Sequence, residues 1–374
     1  MLKKDKIKPM LKWAGGKTSE LPIIHKYMPQ KFDAFYEPFI GGGAVWLTID
    51  DTHKMYVNDL SKELTNLYDN IRNQNIVFFN FIQQFNDLWL YISKFCKEHE
   101  FELEHLYLEF KDNKLTIKEV ENKINNLTKE DTCLSFYLEN QLLQNSYRKY
   151  VLDKFKRTKN NEIKKGDLPK ADYIKNIETA FKAAAYMFVR LLYNKFLTNK
   201  QTFGQAVNAA IYFIIRDLAY SGMFRFNENN EFNVPYGGMG YNSKDFNNKL
   251  SHMRSSKVAN HFKKSIINQG DFYDFMKKYP PKENDFIFLD PPYDTEFSSY
   301  EGNDFNSNDQ TRLANYLIQE CKGKWMMVIK YTDFIYSLYD KPGIEIISFD
   351  KRYAVSFMDR NSQEVTHILI RNYK

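Results

Sequence analysis

The sequence predicts an α/β chain, a Rossmann-like doubly wound sheet interrupted by a long, mostly helical insertion. Three observations predict it. A strand-like run, DAFYE at 33–37, leads into the glycine loop PFIGGGAVW, and the next strand-like run, HKMYVND, ends in Asp59. Strand signals then stop from about residue 75 to 220, where aromatic and charged residues recur at helical spacing. They return in FIFLDPPY and three later apolar runs. A sheet split in this way implies a discontinuous domain of residues 1–75 and 255–374, and an inserted domain of residues 76–254.

The elements follow in order. After DAFYE, Pro38 breaks the strand, and a helix is expected to start beyond the glycines at Ala44-Val45-Trp46-Leu47. HKMYVND forms the second strand. SKELTNLYDNIRNQ follows with Leu60, Leu64, Leu67 and Ile71 on one helical face. Strand, glycine loop, helix, strand and acid together open a doubly wound sheet. FFNFIQQFNDLWLYISKF and TAFKAAAYMFVRLLYNKF read as helices of the insertion. Between them, RKYVLDKFKRTKNNEIKK carries Arg148, Lys149, Lys154, Lys156, Arg157, Lys159, Lys164 and Lys165. Such a run is either a solvated helix face or a phosphate-binding one. FIFL, WMMVIKY, EIISF and VTHILIRN supply the late strands.

Composition narrows the class. The chain has 374 residues, 31 Phe, 26 Tyr and 27% charged residues, so it is expected to fold into about two domains with sizeable cores. The formal net charge of +6 suits a polyanionic partner. Cys96, Cys133 and Cys321 are scattered, which suggests a reducing, cytoplasmic setting and no disulfide framework. No His/Cys spacing suggests a metal site; His99 and His105 flank the acidic run EFELE, which reads as solvated helix charge. The N-terminal lysines have no apolar core behind them, so no signal peptide is expected, and no apolar run reaches the roughly eighteen residues of a membrane span.

Three stretches carry the chemistry. In LKWAGGKT, Gly16-Lys17-Thr18 resembles the end of a P-loop, but a P-loop needs a glycine where Leu11 stands and a buried strand before it. In FIGGGAVW, Gly41-Gly42-Gly43 lets backbone approach a ligand, although Trp46 replaces the third glycine of the dinucleotide pattern. Asp59 lies where an acid reads ribose hydroxyls, or where it would cap the following helix. In DPPY, an apolar strand delivers Asp290 to the carboxyl edge of the sheet. Asp290 and the Pro291 carbonyl can accept both hydrogens of a planar amino group, Pro291 and Pro292 stiffen the loop, and Tyr293 offers a stacking face.

The order LKWAGGK, YEPFIGGGAVW, VNDL, FNVPYG, DPPY resembles the DNA adenine-N6 methyltransferases of the Dam type. The resemblance covers about residues 8–72 and 205–374, while 75–200 matches poorly and is longer than the family usually needs. It implies an S-adenosylmethionine-dependent methyltransferase sheet with an inserted DNA-recognition domain. It implies cofactor contacts from Trp13, Lys17, Glu37, Phe39, Gly41, Gly43, Asp59, Asp271, Phe272 and Asp290, and catalysis by Asp290, Pro291, Pro292 and Tyr293. For duplex DNA it implies Lys12, Tyr220, Ser221, Arg225, Asn233 and Pro235, the last five in or beside a hairpin near 224–241. Ser221 departs from the family, where many relatives carry Asn. The implied reaction methylates adenine N6 of a flipped-out base, with GATC or a site containing it as target. No metal, a monomer, a bacterial or phage setting, and an optional, separately acting cognate restriction endonuclease go with that resemblance. The alternatives are a same-fold enzyme acting on cytosine N4, RNA or glutamine, and a DNA-binding relative without turnover.

Overall fold

The computed structural model describes residues 7–13, 15–198, 203–292, 305–352 and 364–374. Two compact units are present: residues 1–73 with 254–374, and residues 74–253.

The first unit is built on a seven-stranded sheet. In chain order its elements are α1 (Leu21–Tyr27), β1 (Ala34–Glu37), β2 (Lys54–Asp59) and α2 (Lys62–Arg72). The chain then passes through the second unit, whose helices are α3 (Ile76–Glu98), α4 (Glu100–Lys111), α5 (Ile117–Glu130), α6 (Asn140–Lys165), α7 (Lys170–Leu197), α8 (Gln205–Leu218) and α9 (Asn247–Arg254). It returns with α10 (Ser256–Lys264), β3 (Ser265–Gln269), α11 (Phe272–Lys278), β4 (Phe286–Leu289), α12 (Ser307–Gln319), β5 (Lys324–Lys330), α13 (Asp333–Tyr339), β6 (Glu345–Arg352) and β7 (Glu364–Arg371).

The strand order is β3-β2-β1-β4-β5-β7-β6. β3, β2, β1, β4 and β5 run parallel, and β7 is antiparallel to both its neighbours. From β1 the chain winds outward to β2 and β3, and from β4 the other way to β5. The topological switch therefore lies between β1 and β4, whose Phe35 and Tyr36 pair with Phe286 and Ile287. Both strands are buried along their whole length, as parallel strands covered on two faces require. Ile287, Leu289, Met327, Ile329, Ile368 and Ile370 form the core of one face with Phe275 of α11 and Leu313 and Leu317 of α12.

Local sequence explains the elements around the switch. Ser61 caps α2 by accepting from Leu64 N at 3.3 Å, and Leu64, Leu67 and Ile71 are fully buried. Leu60, assigned by periodicity to the same face, precedes the cap and is exposed. The helix expected after the glycines is only a 3-10 turn, Trp46–Thr48. Trp46 is buried against Tyr68, His261 and Phe262, and its indole N–H donates to Ser265 Oγ at 2.8 Å, so tertiary packing ends the turn early. β3 was not foreseen: Ile266 and Ile267 are its only large apolar residues, and it is the sheet's partly buried edge.

In the second unit, α6 and α7 pack side by side across a turn at Gly166, whose φ is +89°. Of the basic run, Lys159 donates to the Phe110 carbonyl at the end of α4 and to Asn113, whereas Lys149, Lys156, Arg157, Lys164 and Lys165 are exposed. His99 and His105 lie beside Glu102 and Glu109 at one-turn spacing on α4. Glu162 is buried and accepts hydrogen bonds from Tyr107, Tyr173 at 2.9 Å, Lys111 at 3.2 Å and Leu168 N at 2.9 Å.

Lys182 of α7 is fully buried, lies 4.4 Å from the Trp89 ring centre and donates to the Trp89 carbonyl. Burial lowers its ammonium to about 8, although Glu178 opposes the shift. Between that value and the unfolded value of about 10.5 the unfolded chain binds more protons, so stability rises with pH across the window. We predict that Lys182→Met removes a rise of about 3 kcal/mol in unfolding free energy between pH 8 and 10.5. Urea unfolding of both proteins across that range is the check, and a parallel pH profile for the variant would contradict the assignment.

Candidate active site

Parallel strands around the switch deliver three carboxylates to one edge of the sheet. Glu37 ends β1, Asp59 ends β2, and Asp290 follows directly after β4. Open α/β sheets bind ligands outside this edge.

Each carboxylate is held differently. Glu37 is buried, and its Oε2 accepts from Trp46 N at 2.9 Å. Burial pushes its carboxyl well above the usual range; the Trp46 N–H opposes this, and the Asp290 charge adds to it. Asp59 Oδ2 accepts from Gly41 N at 2.9 Å and its Oδ1 from Ser61 N at 2.9 Å. Because Ser61 is the cap of α2, Asp59 serves the glycine loop and not the helix end. Asp290 Oδ1 accepts from Lys17, whose ammonium also donates to Gly15 O at 2.9 Å. Lys17 is buried. The lysine of LKWAGGKT thus turns toward a carboxylate, and Gly16 N donates to Trp13 O at 3.1 Å.

The glycine loop is compressed against Trp13. Gly41 has φ +45°, and a Cβ there would stand 2.7 Å from Trp13 Nε1. At Gly42 it would stand 3.0 Å from Trp13 Cβ. Gly43 has φ +67°, and its Cβ would meet the Trp46 ring at 2.9 Å. Tyr68 OH donates to Gly41 O at 2.7 Å, fixing the loop from α2.

Beside the loop lies an aromatic pair. Phe39 and Phe272 have ring centres 5.5 Å apart, and Phe305 packs on both. Asp271 caps α11 by accepting from Tyr273 N at 2.8 Å, and Arg312 of α12 holds its carboxylate at 2.6 and 3.3 Å. Asn58 ties the neighbourhood together, donating to Pro38 O and Gly270 O at 3.0 and 2.9 Å.

Sequence reasoning missed two contributors, Arg312 and Gln310. Gln310 is fully buried on α12 and its amide donates to Pro292 O at 2.8 Å, so it clamps the proline loop. The Pro292 carbonyl therefore has a partner, a side-chain amide of α12. An exposed-looking Gln in QTRLANY carries no signal of this bond. Tyr293 lies outside the described residues.

The remaining sequence-derived residues are in the second unit, apart from Lys12, which is exposed near the N-terminus. Tyr220 is exposed, and Ser221 adopts a left-handed φ of +53°, a conformation Asn tolerates better than Ser. Residues 219–236 form a hairpin, bridged at Phe226–Phe232 and Ala219–Tyr236. Arg225 is exposed on it, and its Nε donates to Asn233 Oδ1 at 3.0 Å. Pro235 O accepts from Tyr220 N at 2.9 Å.

Comparison with known proteins agrees with this architecture. The family model for D12 class N6 adenine-specific DNA methyltransferases matches residues 13–167 and 145–355. The chain belongs to that family, and it is an adenine-specific DNA methyltransferase. It is 26% identical to the Type II methyltransferase M.CviBI of Paramecium bursaria Chlorella virus NC1A, over 98% of this chain and 100% of the relative. It is 26% identical to the Type II methyltransferase M1.LlaDCHI of Lactococcus lactis subsp. cremoris, over 100% and 99%. With the DNA adenine methylase of Haemophilus influenzae it shares 24% identity over 89% and 84%. Among the described residues no helix is long and apolar enough to cross a membrane.

The compressed loop makes a quantitative prediction. Gly41→Ala should cost roughly 2–4 kcal/mol, combining left-handed backbone strain with the clash on Trp13. Gly15→Ala, with φ +76° but open space around its Cβ, should cost only about 1 kcal/mol. Chemical unfolding of the two variants tests this, and equal losses would contradict the packing against Trp13.

Proposed function

We propose that this methyltransferase transfers the methyl group of S-adenosylmethionine to adenine N6 of a base flipped out of duplex DNA. The observation that carries the reading is the convergence of Glu37, Asp59 and Asp290 on the carboxyl edge at the switch point, beside a glycine loop that admits no side chain. Family membership supplies the reaction class.

The residues at the edge fit the cofactor. Asp59, already oriented by Gly41 N and Ser61 N, can take ribose hydroxyls in addition. Gly41 and Gly43 offer backbone at close range. The Phe39–Phe272 pair can offer an aromatic wall to one face of an adenine ring, with Asp271 at its edge. Glu37, Lys17 and Trp13 complete the wall. When bound, the cofactor supplies an activated sulfonium methyl.

The chain's own task is alignment. Asp290 and the Pro291 carbonyl accept the two N6 hydrogens, which turns the nitrogen lone pair toward the methyl carbon. Gln310 holds Pro292 and so fixes the loop from behind. Pro292 stiffens the same turn, and Tyr293 stacks on the adenine. Extracting the base costs roughly a few kcal/mol, which stacking offsets in part. Lys17 pairs with Asp290 and orients it.

The first unit is the catalytic domain in this reading, and the second is the target-recognition domain. Arg225 donates two hydrogen bonds to a guanine O6 and N7, Tyr220 fills the gap left by the flipped base, and Lys12, Ser221, Asn233 and Pro235 support the DNA contact. Exposed lysines of α6 add phosphate contacts, which makes affinity fall steeply with salt. GATC, or a site containing it, is the proposed target. The enzyme acts as a monomer in the cytoplasm of a bacterium or on behalf of a phage, with or without a separate restriction endonuclease of the same specificity.

The test is methyl transfer to fully unmethylated genomic DNA, with sequencing that reports modified positions, beside Asp290→Ala. The expected result is N6-methyladenine in one short motif, with activity reduced at least about 1,000-fold in the variant. Modified cytosine would favour the N4 alternative. Binding without any modified base would overturn the duplex-DNA reading and direct attention to RNA.

A further inference from the structure

The insertion carries a row of side chains whose spacing matches the recognition hairpin. Tyr186, Arg190 and Asn194 are four residues apart on α7, so they share one stripe with steps of about 6 Å. In the hairpin strand beside them, alternate peptide groups face the same way with a repeat of about 6.7 Å. The two repeats are nearly equal, and the step from Arg190 to Asn194 matches the step from Val234 to Phe232, while Tyr186 shares the Val234 carbonyl with Arg190.

Asn233 N donates to Arg225 O at 3.1 Å and Pro235 O accepts from Tyr220 N at 2.9 Å, so these peptides face the hairpin partner. The peptide groups of Phe232 and Val234 face away, toward α7. Asn194 takes both groups of Phe232: its Nδ2 donates to the carbonyl at 3.1 Å, and its Oδ1 accepts from the N–H at 2.9 Å. One side-chain amide thereby replaces a neighbouring strand. Arg190 Nη1 and Tyr186 OH both donate to the Val234 carbonyl, at 3.2 and 2.9 Å. Tyr186 is fully buried and its bond is made away from water, while the Arg190 and Asn194 bonds are partly buried; Phe232 and Val234 are buried, so losing a bond leaves a strand peptide group poorly met.

The strand in turn holds Arg225. Asn233, between the two clamped residues, accepts from Arg225 Nε. That bond fixes the plane of the guanidinium and leaves the pair of terminal nitrogens as the presenting edge. A bidentate contact to a base needs that plane held, since a fork turned out of plane loses one of its two bonds.

We propose that Tyr186, Arg190 and Asn194 are positioning residues for base recognition: α7 of the insertion clamps the strand 232–234, and through Asn233 sets the orientation of Arg225. The proposal rests on the reading of Arg225 as the guanine reader. It assigns the enlarged insertion a role in specificity as well as in folding.

The experiment measures kcat/KM on the modified site and on duplexes altered one base pair at a time. Arg225→Ala identifies the base pair at which discrimination depends on Arg225. Asn194→Ala is expected to lower discrimination at that same pair at least about fivefold, with smaller changes at the other pairs and kcat on the intact site within about threefold. Tyr186→Phe keeps the buried ring and should give a smaller loss at the same pair; it carries the test if Asn194→Ala does not fold. Wild-type discrimination in the folded clamp variants, or an equal loss at every base pair, would overturn the clamp while leaving the Arg225 reading intact. If Arg225→Ala keeps discrimination at every pair, the Arg225 reading fails and the clamp proposal falls with it.

Discussion

The partly buried ion pair between Lys17 and Asp290 is the constraint on which the site depends. It joins residues 273 apart in sequence, one from the N-terminal turn and one directly after β4. Around it the sheet places Glu37 and Asp59, so three acids gather on one edge with Lys17 buried among them. Burial already forces Glu37 toward its protonated form. Removing Lys17 would leave Asp290 without this ammonium beside two other acids, a costly arrangement in a partly buried setting. The same segment places Trp13 on Gly41 and Gly42, which crowds a Cβ at either position. Electrostatics at one end and close packing at the other come from the same short segment, LKWAGGK.

The insertion repeats this logic with different materials. Its helices are held by aromatic packing and by buried charged groups, Glu162 and Lys182 among them. Glu162 is satisfied by four donors, whereas Lys182 meets a carbonyl and the face of an indole. The hairpin that carries Arg225 is short and has only isolated bridges of its own. A ribbon of that size is marginal alone, and α7 supplies the outer edge that a third strand would otherwise provide. Helix and strand repeats agree over the step from Phe232 to Val234, which suffices for a hairpin of this length.

Much of the sheet was legible in the sequence. β1, β2, β4, β5, β6 and β7 all fall on apolar runs bounded by breakers, and the order of glycine loop, Asp59 and DPPY marked the carboxyl edge. β3 was not legible because an edge strand with two large apolar residues has no pattern to detect. The helix expected at Ala44 fails because Trp46 turns into the core to meet Tyr68, Phe262 and Ser265, which propensity does not encode. The site's supporting bonds were the least visible. Gln310, Arg312 and Asn194 act on partners 18, 41 and 38 residues away, and each is a common helix residue in its own segment. Acids and glycines announce chemistry by type and place, but the groups that hold them do so only through the fold.

The central claim is that the carboxyl edge between β1 and β4 is the cofactor pocket, with Asp59 as its ribose acceptor. Calorimetric titration of S-adenosylmethionine into the intact protein and into Asp59→Ala tests it most directly. The account predicts a single site, with affinity falling at least about tenfold in the variant, the effect of losing hydrogen bonds to a charged acceptor. Equal affinity in the two folded proteins would contradict it.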